Sequence, residues 1–398
     1  MKTPVHVAGL GVVSAIGNTV AENIVALEHS HSGIGPITFL ETIYKDYLPV
    51  GEVKLTNKNL STLLNISKPV SRTAMLGLLA AREAWVHARL DNHKLRIGFV
   101  SATTVGGMDG TEKFAEAFFK DKTQGWLRDV LLHECGSTTE WIADQLISCD
   151  FISTINTACS SSVNSIMLGS RLIEQDRLDV VIAGGTDALT RFTLNGFNSL
   201  MILDKEPCKP FDANRQGLNL GEGAGYVVLV SDKVRKQQQL TSFAQVSGYG
   251  NTNDAFHQTA SSPDGRGPRA AMELALKKSN LSESDIDYIN LHGTGTVNND
   301  SSEGTAVQTL FKNNVPRLSS TKAYTGHTLG ASGGVEAVYS VLALLNQCVY
   351  PNLRFEHKIP ELNFIPQAQF EKDLRVQHVL SNSFGFGGNC SSIIFSRS

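Results

Sequence analysis

Asn156-Thr157-Ala158-Cys159-Ser160-Ser161-Ser162 stands between a run patterned like a strand and a run patterned like a helix. Before it, Phe151-Ile152-Ser153-Thr154-Ile155 alternates apolar and polar residues with β-branched side chains, which predicts a half-buried strand. After it, Val163, Ile166, Met167 and Ser170 recur at helical spacing, and Gly169 and Ser170 are small enough for close packing. A thiol on the turn between the two has the unpaired N–H groups and positive dipole end of the helix nearby. That setting favours thiolate and predicts a lowered cysteine pKa. Cys159 is therefore a candidate nucleophile, although a buried structural cysteine fits the same surroundings.

Strand-like and helix-like runs alternate outward from this unit, the pattern of an α/β protein. Val5 to Gly11, Arg96 to Val100, Leu178 to Gly185 and Tyr226 to Val230 read as core strands, and Ala74 to Ala88 as a mostly buried helix. Past the charged stretch Lys233 to Gln239 the order starts again: strand Phe243 to Ser247, helix Pro268 to Lys278, strand Ile286 to Leu291, helix Glu303 to Phe311. A short strand near Thr321, a long helix from Ser332 to Asn346 and strands near Gln377 to Leu380 and Ser392 to Phe395 complete it. Two halves are expected, 1–240 and 241–398, similar in order though not in residues.

The chain has 398 residues, is 41% hydrophobic and 18% charged, and carries a net charge of −3. That composition gives no basic excess for nucleic acid and no acidic tail. The N-terminus runs into a strand-like segment without the apolar core of a signal peptide, and Val335 to Tyr350 is too short and too interrupted to predict a membrane span. A cytoplasmic protein is the simplest reading. Cys135, Cys149, Cys159, Cys208, Cys348 and Cys390 form no Cys-x-x-Cys, which argues against zinc and against a disulfide framework. No metal or cofactor is indicated.

Three further motifs sit where strands end. Leu291-His292-Gly293-Thr294-Gly295-Thr296 puts a histidine ahead of a glycine-rich loop, the place where α/β sheets gather ligands. Ser319-Ser320-Thr321-Lys322-Ala323-Tyr324-Thr325-Gly326-His327 repeats the arrangement. Glu336 interrupts an apolar helix face nine residues past His327, so Lys322, His327 and Glu336 can form a buried polar network or a mere salt bridge. Asn382-Ser383-Phe384-Gly385-Phe386-Gly387-Gly388-Asn389 is a turn whose backbone can approach a ligand and offer N–H groups to an oxyanion.

Together with Asp212 and Gly221-Glu222-Gly223-Ala224-Gly225, these motifs follow the order and spacing of the β-ketoacyl-acyl carrier protein synthases, and nearly the whole chain resembles the elongating type. The resemblance implies the thiolase fold, two duplicated halves in a five-layer α-β-α-β-α sandwich. It implies Cys159 as the nucleophile that holds the acyl chain, and His292 and His327 as donors to the enolate of a decarboxylating malonyl thioester. The N–H groups of Cys159 and Phe386 would form the oxyanion hole, with Phe386 gating the acyl pocket. Lys322 would support the second histidine electrostatically, Glu336 matches the family's buried glutamate, and Asp300 and Glu303 match its acidic pair. Val105, in a segment resembling the pocket lining, and Phe384, Thr294 and Thr296 are candidate substrate contacts. Lys68 and Arg72 are candidate docking cations for an acidic acyl carrier protein. The implied assembly is a homodimer, or a heterodimer with a ketosynthase-like partner, and the products fatty acids or related polyketides and polyenes. Val297-Asn298-Asn299 departs from the proline-containing loop of relatives.

Two other chemistries of the same fold fit less well. Thiolases use a second cysteine near the C-terminus followed by x-Gly, whereas Cys390 precedes Ser391-Ser392. The priming condensing enzymes pair one histidine with an asparagine, and this chain has two histidines. A non-catalytic chain-length partner subunit would generally lack the nucleophile that is present here as Cys159.

Overall fold

A computed structural model of the chain describes residues 3–312 and 314–398. Its strands are β1 (Val5–Val13), β2 (Ile34–Gly35), β3 (Val50–Gly51), β4 (Ile97–Ala102), β5 (Phe151–Ile155), β6 (Val180–Asp187), β7 (Gly223–Ser231), β8 (Ala244–Asn253), β9 (Tyr288–Asn290), β10 (Arg317–Ser319), β11 (His378–Phe384) and β12 (Asn389–Ser396). β2 and β3 pair alone; the other ten are hydrogen-bonded in the order β10-β9-β11-β12-β8-β1-β7-β6-β4-β5.

That order contains the same five-strand pattern twice. In the first half β5, β4 and β6 run parallel, then β7 and β1 follow antiparallel. In the second half β10, β9 and β11 run parallel, then β12 and β8 follow antiparallel. The halves join where β1 meets β8, across only His6 with Gln245 and Val7 with Ala244. Duplication invisible in the residues is thus explicit in the strand order.

Two helices, Ser161–Glu174 and Ser332–Asn346, form the middle layer. The first packs on β6 and β12, the second on β7 and β11, so each touches both halves, and their apolar residues share one core with both sets of strands. Helix Arg72–Ala88 covers the outer face of the first half and helices Arg266–Ser279 and Val297–Phe311 that of the second, each over its own core. Helix, sheet, helix, sheet and helix make the five expected layers. Close approach at the centre requires glycine: a Cβ on Gly225 of β7 would lie 2.3 Å from the Val335 nitrogen.

Boundaries differ from the sequence expectation where glycine or small polar residues sit inside strands. β8 continues through Gly248 and Gly250 to Asn253, and β11 runs through Ser381 and Ser383 to Phe384. Both are clamped on each side by neighbouring strands, which overrides low strand propensity. The charged stretch after β7 is the short helix Asp232–Gln237. Counted with its preceding turn, Leu329–Asn346 does reach the length of a membrane span, 18 residues at mean hydropathy 1.2, but 89% of that window is buried in the protein core.

Candidate active site

The four motifs converge because the parallel strands of both halves end at one place. β5 delivers Cys159, β9 delivers His292, the turn after β10 delivers Lys322 and His327, and β11 delivers Phe384 and Phe386. A cavity of about 340 Å³ is lined by Cys159, His292, His327, Thr294, Phe384 and Phe386, with Thr296 further along its wall.

Cys159 is presented by a sharp turn. Ala158 before it has a φ of +53°, in the left-handed region that an alanine occupies only when its surroundings hold it there. The Thr157 N–H donates to Ser161 Oγ at 2.8 Å, and Ser161 Oγ donates to the Ala158 carbonyl at 2.5 Å, tying the turn to the first residue of the helix. The thiol does not have the lowered pKa expected of a helix N-terminus. Burial pushes it up to about 11, against the opposing pull of the Lys322 charge and the Phe386 N–H. Desolvation of the thiolate outweighs the helix end. Cys159 rests as a neutral thiol, so its alkylation by iodoacetamide should rise about tenfold per pH unit between pH 7 and 9 without a plateau. A plateau below pH 8 would contradict this.

The histidines meet edge to face with ring centroids 5.4 Å apart. Both are buried, and burial followed by the charge of Lys322 holds both far below the usual histidine range, so both are neutral. Their tautomers follow from their partners. His327 Nδ1 accepts from the Leu329 N–H at 3.1 Å, with Ser332 Oγ also 2.9 Å away. His292 Nδ1 lies 3.3 Å from the Lys322 ammonium, a donor only. In both rings the proton is left on Nε2, giving two neutral N–H donors.

Lys322 therefore touches the first histidine, and it reaches the second, which the resemblance has it support electrostatically, without contact. Its other partner is the Glu336 carboxylate, with which it forms a fully buried ion pair. Burial raises Glu336 to about 7 despite that neighbour. His327 is outside the hydrogen-bonded network and feels Lys322 only through its charge.

Glu303 and Asp300 hold the His292 loop from behind. Glu303 accepts from the N–H groups of His292 at 2.9 Å and Gly293 at 2.8 Å and from Asn382 Nδ2 at 3.0 Å, and burial raises it to about 7. Asp300 accepts from the N–H groups of Phe211 at 2.7 Å and Gly295 at 3.2 Å. Neither lines the cavity.

Two expected contacts are misplaced. Val105 does not itself line the cavity; it packs behind its wall, in the apolar cluster of Leu218, Leu220 and Leu329, of which Leu218 faces the cavity. Arg72 is no surface cation. It is buried, with its Nε 2.8 Å from Glu222 Oε2 and its Nη2 2.6 Å from Oε1, and it donates also to Leu55, Asn57 and Val53. Its partner lies 150 residues away, beyond any local pattern. Lys68 is exposed as expected. Arg72→Ala should strand the Glu222 carboxylate and cost about 3–5 kcal/mol in urea unfolding, whereas Lys68→Glu should leave the midpoint unchanged.

Sequence reasoning missed the apolar wall. Phe197 stacks on Phe386 with centroids 5.7 Å apart and planes 15° from parallel, and Met201, Ile202 and Leu218 continue the surface. Phe197 and Phe386 are brought together from different halves, so no local spacing signals them.

Comparison with known proteins agrees with this geometry. Residues 2–234 match the family model "Beta-ketoacyl synthase, N-terminal domain" and residues 243–356 match "Beta-ketoacyl synthase, C-terminal domain". A 3-oxoacyl-[acyl-carrier-protein] synthase 2 of Staphylococcus aureus is 31% identical over 99% of this chain and 98% of its own length, and one of Coxiella burnetii is 32% identical over 100% and 99%. Among solved structures, the ishigamide ketosynthase/chain length factor matches at TM-score 0.94 and 28% identity over all of both chains. The ketosynthase ApeO in complex with its chain length factor ApeC, from Xenorhabdus doucetiae, matches at TM-score 0.86 and 30% identity over 100% of this chain and 98% of that one. With both family domains matched in order and relatives aligned end to end, this chain belongs to the β-ketoacyl synthase family.

Proposed function

We propose that the protein catalyses decarboxylative Claisen condensation between an acyl group held on Cys159 and a malonyl group on an acyl carrier protein. The observation that carries this reading is one cavity holding a thiol and two neutral imidazole N–H donors. Cys159 sulfur attacks the acyl thioester carbon, the carrier thiol leaves with the cysteine proton, and the N–H groups of Cys159 and Phe386 hold the oxyanion. The malonyl carrier then enters past Thr294 and Thr296. Its C2–carboxyl bond breaks, carbon dioxide leaves, and the Nε2–H groups of His292 and His327 stabilise the enolate oxygen. The enolate carbon attacks the acyl carbon, the C–S bond breaks, and the released thiolate takes a proton from solvent water. Lys322 holds His292 in the donating tautomer, Glu336 balances the lysine charge, and Glu303 and Asp300 fix the loop. Phe386, stacked on Phe197 at the apolar wall, gates the acyl end beside Phe384. Incubation with a ladder of acyl carriers and malonyl carrier, read by intact mass, tests the reading and measures its chain-length range.

The protein is proposed to work in the cytoplasm as a dimer, with 1–240 and 241–398 as its two structural halves. Helix Met108–Lys120 and the short helix Leu127–Leu131 contain no buried residue, although Phe119, Trp126, Leu127 and Leu131 are each two-thirds or more exposed. So large an apolar surface suits an association face. The second chain is a copy of this one or, as in the ketosynthase–chain length factor structures, a related subunit. Light scattering of the protein purified alone separates the two. Lys68 is the remaining docking cation, and Lys68→Glu should raise KM for an acyl carrier with little effect on a small thioester.

A further inference from the structure

Asp187 ends β6 and is wholly buried, and among the described residues every hydrogen-bond partner it has is an uncharged donor. Thr103 Oγ1 donates to its Oδ1 at 2.6 Å and Thr104 Oγ1 to its Oδ2 at 2.6 Å; the N–H groups of Thr104 and Val105 donate at 2.9 and 3.2 Å. These come from the loop after β4. The remaining donor comes from the other half of the molecule: the Gly330 N–H, 2.7 Å from Oδ2. Gly330 follows Leu329, a buried leucine at a φ of +52°, and it is the Leu329 N–H that donates to His327 Nδ1. A left-handed leucine persists only where its surroundings hold it.

Resting on the condensing reading above, we infer that Asp187 is a positioning residue for His327. By gripping the Gly330 N–H it fixes the Leu329–Gly330 peptide and with it the left-handed turn at Leu329, whose own N–H points at Nδ1, and so keeps the imidazole proton on Nε2, facing the cavity. Without the grip the peptide relaxes and Nδ1 keeps only the Ser332 hydroxyl, which accepts as readily as it donates, so the proton can settle on the wrong nitrogen. The charge of Asp187 acts in the opposite sense on Cys159, whose thiol it helps keep protonated. The two half-reactions should therefore respond differently, which a general packing defect would not produce.

Asp187→Asn keeps the shape and removes the charge and half of the acceptor capacity. Gly330→Ala keeps Asp187 and its other donors, but places a Cβ 2.9 Å from Asp187 Oδ2 and 2.9 Å from Thr104 Cγ2, forcing the contact apart. Both variants should release carbon dioxide from malonyl carrier about tenfold or more slowly than wild type. Iodoacetamide should alkylate Cys159 as fast or faster in Asp187→Asn, and within about threefold of wild type in Gly330→Ala. Nitrogen-15 spectra of histidine-labelled protein read the His327 tautomer independently of any reaction: Nε2–H in the wild type, a mixture in both variants. Carbon dioxide release and tautomer both unchanged in a folded variant would overturn the proposal, as would equal slowing of both half-reactions. Failure of both variants to fold would assign the contact to stability instead, and equally overturn it. A wild type that releases no carbon dioxide but shows the tautomer change in the variants would sink the condensing reading and leave the positioning role standing.

Discussion

Cys159→Ala should form no acyl adduct with any acyl carrier and show no condensation above background, yet fold like the wild type. The sulfur accepts from the Phe386 N–H in the cavity that the two imidazoles line. Removing it leaves a small void in a cavity that is already open, so the cost in stability is slight. Decarboxylation of malonyl carrier should persist, because both Nε2–H donors remain in place. In the wild type, intact mass should find one adduct, on Cys159. Cys390 also borders the cavity, but its thiol is pushed up to about 12 by burial next to Asp254 and Glu303. An adduct on Cys390, or on no cysteine, would remove Cys159 from the mechanism.

Loss of either histidine should strike the other half-reaction. His292→Ala or His327→Ala should slow carbon dioxide release by roughly a hundred- to a thousand-fold, the effect of losing one aimed oxyanion donor. Acylation of Cys159 needs the thiolate and the two backbone N–H groups, so His292→Ala should still form the adduct at an appreciable rate. The histidines differ in what removal leaves behind. Without His292 the Lys322 ammonium loses its neutral partner but keeps Glu336. Without His327 the Leu329 N–H and Ser332 hydroxyl lose their common acceptor. Acylation by mass and carbon dioxide release, measured separately in each variant, check the division; wild-type decarboxylation in both would end the two-histidine account.

Much of this site is written locally, and what is not depends on partners far along the chain. The strand Phe151–Ile155 and the helix Ser332–Asn346 have the same limits in the sequence pattern and in the structure, because one is set by alternation and the other by an apolar helical run bounded by polar residues. Cys159, His292 and His327 were each legible as strand-end residues in small-residue turns, and the cavity unites them. The contact of Lys322 with His292 was not, since it depends on the parallel register of β9 and β10, which brings together residues thirty apart. Arg72 read as a surface charge because Glu222 is 150 residues away. The thiol pKa was misjudged for a different reason, since a helix end is visible in sequence but the depth of burial is not. Asp187 could have been noticed: a carboxylate closing the apolar run Val180-Val181-Ile182-Ala183-Gly184-Gly185-Thr186 must find donors when buried.

The central claim is that carbon–carbon bond formation consumes the acyl group on Cys159. Protein pre-loaded with an acyl chain and mixed with malonyl carrier in a single turnover, followed by intact mass of both proteins and by released carbon dioxide, tests it directly. The Cys159 adduct should disappear at the rate at which a carrier-bound 3-oxoacyl product, longer by two carbons, appears, with one carbon dioxide per product. Product formed while the Cys159 adduct stays intact, or formed equally well by protein alkylated at Cys159 beforehand, would contradict the account.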